Sequence, residues 1–108
     1  MHRHLALVVI AFAVLACSQV AATAAPLADF IDYSLVSSRG GLVLPGRLFV
    51  PPEAAADPLT PRPFMLYLHG GGAIGTNNTT QIEQTPDGLL DEAKRRGAFF
   101  YVPQAPSG

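Results

Sequence analysis

The chain has 108 residues, of which 49% are hydrophobic and 14% are charged, and its formal net charge is −1. This length limits the chain to one domain at most. The charge is balanced and forms no basic patch, so we expect no nucleic-acid partner.

The N-terminal segment predicts export. A short basic region at residues 2–4 precedes an apolar stretch at residues 5–16, and Ala22-Thr23-Ala24 places small residues at a cleavage site. This order is typical of a secretory signal peptide, which we predict over residues 1–24. Because a bilayer-spanning helix needs roughly 20 apolar residues, we expect no membrane span. The predicted location is secreted or periplasmic.

Cys17 is the one cysteine of the chain and offers an alternative location. It follows Val14-Leu15-Ala16, which resembles a bacterial lipoprotein cleavage box, where the cysteine would carry a lipid anchor. We favour a cysteine that is removed with the leader, because Leu15 is less usual in such a box. Cleavage after Ala24 would leave residues 25–108 without cysteine, which excludes disulfides and thiolate metal sites.

Two strands are predicted at the start of the mature chain. Residues 30–37 alternate imperfectly between apolar and polar side chains, which indicates a strand with one solvated face. Arg39-Gly40-Gly41 is a turn signal, and residues 42–50 read as a second strand interrupted at Pro45-Gly46. Because proline is confined to edge strands and bulges, we predict an antiparallel hairpin at a sheet edge.

The next two segments differ sharply in composition. Residues 51–63 contain five prolines and predict a surface loop, with an interdomain linker as the alternative. Residues 64–68 form an apolar run without alternation, which is typical of a central parallel strand covered on both faces.

The strongest helix signal covers residues 86–96. Thr85 can cap the start, Pro86 suits the first turn, and Gly97 suits the left-handed residue beyond the end. The apolar face consists of Leu89, Leu90 and Ala93. On the wet face, the predicted i,i+4 pairs are Asp91 with Arg95 and Glu92 with Arg96. The basic trio at residues 94–96 therefore predicts a solvated helix end rather than an anion site.

Residues 98–102 form a second continuous apolar strand, so the chain reads strand, loop, helix, strand. Such a βαβ unit implies parallel or near-neighbour strands in one sheet. The predicted fold class is α/β, with antiparallel edge strands followed by a parallel βαβ unit.

The most informative motif is His69-Gly70-Gly71-Gly72, which follows the apolar run directly. Residues 70–75 also match G-x-G-x-x-G, but a dinucleotide site needs a helix that begins at these glycines, and residues 76–80 are poor helix openers. The preferred interpretation is an oxyanion loop, whose backbone N–H groups stabilise the charge formed during acyl transfer. We predict Gly71 and Gly72 as donors, because glycine allows close approach.

His69 is predicted to orient this loop through hydrogen bonds, not to act as the general base, because the catalytic histidine of such hydrolases comes after the serine and the acid. A glycine-rich turn without chemistry is the alternative. We expect no cofactor and no metal.

The motif extends on both sides. Residues 64–78 resemble the "LHGxGxxGxDN" segment of secreted carboxylesterases, predicted peptidases and polyhydroxybutyrate depolymerase-like enzymes. Residues 97–106 resemble their "GAxVVxPQxP" strand, and residues 48–52 are similar to their "RLYVPxG" strand. The resemblance implies the N-terminal part of an α/β-hydrolase sheet, and a small-molecule or polymeric ester as substrate.

One departure limits this resemblance. The nucleophile of these enzymes lies in G-x-S-x-G, and the 108 residues contain no such pentapeptide, since Ser107-Gly108 lacks the leading glycine. We therefore expect the N-terminal portion of a serine hydrolase, without nucleophile, acid and base and inactive by itself. The alternatives are a serine peptidase of prolyl-oligopeptidase type and a non-catalytic exported fragment or lipoprotein.

Overall fold

The computed structural model describes residues 23–107. Most of the predicted signal peptide and Cys17 lie outside the described residues. The strands are β1 (Ile31–Asp32), β2 (Leu35–Val36), β3 (Val43–Leu44), β4 (Gly46–Phe49), β5 (Phe64–Leu66) and β6 (Phe99–Pro103). The α-helices are α1 (Pro52–Ala56), α2 (Thr80–Glu83) and α3 (Asp87–Arg96), and 3-10 turns cover Leu27–Asp29 and Gly71–Ala73.

A four-stranded mixed sheet has the order β1-β4-β6-β5, and β2 and β3 form a separate antiparallel pair. In the main sheet, β4 runs antiparallel to both β1 and β6, whereas β5 runs parallel to β6 with Phe64 opposite Phe99. The helices α2 and α3 lie between β5 and β6 in the chain. The predicted α/β class and the parallel βαβ unit are therefore confirmed.

The core lies between this sheet and the helices. It contains Phe30, Phe49, Ile82, Leu90, Ala93, Ala98, Phe100 and Val102, all buried. The predicted apolar face of α3 is confirmed, because Leu90 and Ala93 are buried and Leu89 packs against the cluster.

The position of β4 in the sheet contradicts one prediction. We expected an edge strand at residues 42–50, but β4 lies between β1 and β6. Pro45 falls at the break between β3 and β4, so its missing N–H removes no bond from the β4 ladder, while its carbonyl accepts the Gln104 N–H at 2.8 Å. The break that we predicted at Pro45-Gly46 is thus present, and it leaves β4 free to pair on both sides.

The run at residues 64–68 contains β5, which pairs with β6 on one side within residues 23–107. A central position covered on both faces stays a prediction for this strand. Phe64 and Leu66 are 61% and 55% exposed, because they project from a sheet face that the described residues leave open. A continuous apolar run shows that both faces of a strand are apolar, but it does not identify the element that covers them.

Two short helices were not predicted. The proline-rich segment contains α1, because Pro52 stands in the first turn, where its missing N–H costs nothing, and an alanine run follows. The polar segment contains α2, whose start is supported by Asn77: its Oδ1 accepts the N–H groups of Thr79 and Thr80 at 3.1 and 3.2 Å. A side chain outside the helix thus compensates for a weak opening sequence.

The start and end of α3 differ from the prediction in detail. Thr85 does not cap the helix, since its Oγ1 donates to the Gln81 carbonyl at 2.8 Å, and the Asp87 N–H donates to the Thr23 carbonyl at 3.0 Å instead. Glu92 accepts from both Arg95 and Arg96, so Arg95 pairs with Glu92 rather than with Asp91. The Arg95 and then the Arg96 guanidinium lower the pKa of Glu92 to about 2.

Gly97 ends α3 in the left-handed conformation that we predicted, with φ 59° and ψ 39°. A Cβ there would also overlap the Arg62 guanidinium and the Glu53 carboxylate. We expect Gly97→Ala to lower the free energy of unfolding by about 1–3 kcal/mol, measured by urea denaturation. Gly88→Ala is the matched control, because its Cβ meets nothing within 4 Å and alanine favours helix, so that change should be neutral or stabilising. Equal losses in both variants would contradict this explanation.

Candidate functional site

The glycine loop begins where β5 ends. The Tyr67 N–H still donates to the Tyr101 carbonyl at 3.1 Å, so the chain leaves the sheet only after this point. The loop therefore emerges at the carboxyl end of a parallel strand, which is the edge at which open α/β sheets bind ligands.

The glycines form the start of a 3-10 turn. Gly70 is extended, with φ −77° and ψ 172°, and its carbonyl accepts the Ala73 N–H at 3.1 Å. The first N–H groups of a helical turn have no partner within the turn. Among residues 23–107, no acceptor receives a hydrogen bond from the N–H of Gly71 or Gly72, and both glycines are exposed. A Cβ at Gly71 would meet nothing within 4 Å, so the space beside it is open.

His69 connects this loop to the end of β6. Its Nε2 accepts the Ala105 N–H at 2.8 Å. In the neutral ring the proton is then on Nδ1, which donates to the Gly70 carbonyl at 2.5 Å. Both ring nitrogens thus form hydrogen bonds with backbone groups, one at the start of the glycine loop and one in the segment after β6. The orienting role of His69 stays a prediction, and these two hydrogen bonds are the contacts behind it.

The structure brings two further polar residues to the loop that our sequence reasoning did not assign to it. Asn78 is 7% exposed and has a positive φ of 57°, which asparagine tolerates better than most residues. Its Nδ2 donates to the Gly46 carbonyl at 2.9 Å, which attaches the loop to β4. Gln104 is fully buried behind the loop. For Gln104 the available signal was its place directly after an apolar strand, because strand ends gather at one edge. For Asn78 it was the last position of the segment that resembles LHGxGxxGxDN.

The dinucleotide alternative lacks its structural requirement. The turn at Gly71–Ala73 is three residues long, and the next helix begins at Thr80. No α-helix therefore starts at the glycines in the described part of the chain, which agrees with our rejection of that interpretation.

Serines and potential metal ligands are the other groups of residues 23–107 that bear on the chemistry of this site. No serine in this range hydrogen-bonds to His69, and Ser34 and Ser37 donate instead to Asp32 and to the Arg39 carbonyl. No group of three potential metal ligands occurs there, and no helix in that range is both long and apolar enough to cross a bilayer. An apolar cavity of about 330 Å³ lies elsewhere, lined by Tyr33, Leu35, Leu48, Phe64, Phe99 and Tyr101.

Comparison with solved structures gives a likeness to an esterase. No family model and no curated protein matches the chain. A solved structure described as a thermostable esterase matches it with a TM-score of 0.63 and 27% sequence identity, over 74% of this chain. The chain spans 22% of the length of that esterase. The mixed sheet is therefore that of part of an esterase fold, and the likeness supports the α/β-hydrolase superfamily without distinguishing a group within it.

Proposed function

We propose that this chain is the N-terminal portion of an exported serine hydrolase of carboxylic esters, and that it supplies the oxyanion loop. The observation that carries the proposal is that Gly71 and Gly72 are exposed and that their N–H groups have no acceptor among the described residues. They lie at the carboxyl end of a parallel strand in a segment whose fold matches part of an esterase.

In this proposal the loop acts on the charge that develops during acyl transfer. Attack of a serine on the ester carbonyl turns its oxygen into an anion, which accepts hydrogen bonds from preorganised N–H donors about 3 Å away. Gly71 and Gly72 contribute from the loop after β5, and the residue after the nucleophile contributes another donor. His69 keeps the loop in place through Gly70 and Ala105 and takes no proton from the nucleophile.

The remaining elements of the proposal follow from the sequence. The substrate is a small-molecule or polymeric ester, and the nucleophile lies in a G-x-S-x-G segment outside residues 1–108. The leader at residues 1–24 directs the enzyme out of the cytoplasm, with lipid anchoring at Cys17 as the alternative.

The test is to express the complete gene product and residues 1–108 in parallel. We expect the complete product to hydrolyse nitrophenyl esters and to be labelled by a fluorophosphonate at a serine outside residues 1–108. Residues 1–108 alone should show neither turnover nor label, because they contain no G-x-S-x-G.

Each other outcome selects an alternative. A label within residues 1–108 would place the nucleophile in this chain and overturn the proposal. Cleavage of prolyl peptides without cleavage of esters would favour the peptidase. A folded complete product with neither activity would favour the non-catalytic exported protein.

A further inference from the structure

We infer that Gln104 is the positioning residue of the glycine loop, an inference that rests on the function proposed above. Gln104 directly follows β6 and is 0% exposed, although glutamine is usually found at the surface. A buried amide must satisfy its hydrogen bonds locally, and in this case the partners belong to the loop.

The side-chain amide is engaged at both ends. Its Nε2 donates to the Ala73 carbonyl and to Asn77 Oδ1, each at 3.0 Å. Its Oε1 accepts the Asn78 N–H at 2.7 Å. Ala73 ends the 3-10 turn that Gly71 begins, so the amide determines where that turn lies and in which direction the N–H groups of Gly71 and Gly72 point.

The neighbouring backbone supports the same loop from both sides. Ala105 donates its N–H to His69 before the turn and accepts the Gly75 N–H after it, at 2.8 and 2.9 Å. These contacts do not depend on the side chain at position 104. A substitution of Gln104 therefore removes the side-chain hydrogen bonds to the loop, while the backbone hydrogen bonds of Ala105 can still form.

The test compares Gln104→Met with Gln81→Met. Gln81 is also 0% exposed, but its Nε2 donates to Asn78 Oδ1 and the Val102 carbonyl rather than to the glycine turn. Both substitutions remove a buried amide of the same size. They differ in whether the lost contacts include the carbonyl of Ala73.

The first readout is hydrogen exchange of the Gly75 amide, measured by NMR in the complete gene product. Gly75 donates to Ala105 and not to Gln104, so faster exchange reports movement of the loop rather than loss of one contact. We expect Gln104→Met to speed this exchange by about tenfold or more through local opening. Gln81→Met should speed it clearly less, because Gln81 contacts the loop only through the Asn78 side chain and not through the glycine turn. Unchanged Gly75 exchange in Gln104→Met would overturn the inference.

The second readout is kinetic and uses the complete gene product with a nitrophenyl ester. A displacement of about 1 Å can cost 10²-fold, so we expect Gln104→Met to lower kcat by about that factor with little change in KM. Affinity for an aryl boronic acid, whose serine adduct mimics the tetrahedral intermediate, should fall in parallel. If Gly75 exchange rises while kcat and boronate affinity stay unchanged, the loop is held by Gln104 but is not the oxyanion site, and the proposed function fails.

A second variant serves if Gln104→Met does not fold. Gln104→Glu has the same shape, and its ionised carboxylate can still accept the Asn78 N–H but cannot donate to Ala73. Protonation restores one donor. We therefore expect kcat, relative to the unsubstituted enzyme, to recover as the pH is lowered, and a flat ratio across pH would contradict the donor role.

Discussion

Replacing Gly71 with proline is expected to lower kcat of the complete gene product on carboxylic esters by about 10²–10³-fold, the usual cost of one lost oxyanion donor. Proline has no backbone N–H, so the substitution removes the proposed donor. Proline is also tolerated in the first position of a helical turn, which Gly71 occupies, and the residue before it is already extended. The fold should therefore persist while the chemistry is lost. Steady-state kinetics with nitrophenyl esters measure the effect.

Gly71→Ala is the control for this variant. Alanine keeps the N–H, and its Cβ would meet nothing within 4 Å, so kcat should stay within roughly threefold of the original value. An equal loss in both variants would mean that the added atoms, and not the missing donor, cause the defect. Full activity of Gly71→Pro would exclude Gly71 as a donor and leave the role to Gly72.

Gly46→Ala is expected to lower the free energy of unfolding by about 1–3 kcal/mol, the usual cost of overpacking a filled site. Gly46 lies in β4, and a Cβ there would overlap the buried Tyr101 ring. That ring packs edge-on against Tyr33 with centroids 6.0 Å apart, and its hydroxyl donates to the Tyr33 carbonyl at 2.9 Å. Burial raises the pKa of Tyr101, which favours the protonated phenol that donates this bond. Urea unfolding followed by circular dichroism measures the loss.

The same substitution should reach the glycine loop. The Gly46 carbonyl accepts both the Tyr33 N–H and Asn78 Nδ2, each at 2.9 Å, so a shift of β4 displaces the buried amide of Asn78. A double-mutant cycle with Tyr101→Val isolates the cause, because the cost of the added methyl should largely disappear once the ring is gone. Additive losses in the double variant would show that the ring is not the obstacle.

Local signals predicted the elements whose determinants are neighbours in the chain. The helix predicted at residues 86–96 is found at Asp87–Arg96, because the glycine that ends it and the apolar face that packs it lie within or beside the segment. The strand at residues 98–102 is β6, which is buried at the centre of the sheet as its continuous apolar run indicated. The parallel relation of β5 and β6 followed from the helix between them.

Long-range partners decided the rest. The sequence predicted that Pro45 interrupts a strand. Whether β4 was an edge strand depended on its pairing with β6, which lies more than fifty positions later. The hydrophobicity of residues 64–68 indicated a strand, but that β6 is its one sheet neighbour within residues 23–107 was visible only in the structure. The start of α2 depended on a side chain that lies outside the helix.

The candidate site shows the same division. The sequence by itself determined that a strand ends in a histidine and three glycines, and this local order was enough to predict a loop with free N–H donors. Only the tertiary structure showed what holds that loop, since Gln104 reaches Asn78 across 26 positions and Ala105 reaches His69 across 36. Hydrogen bonds over such separations form only after the sheet brings two strand ends to one edge. The sequence pattern of either segment alone does not show which strand ends become neighbours.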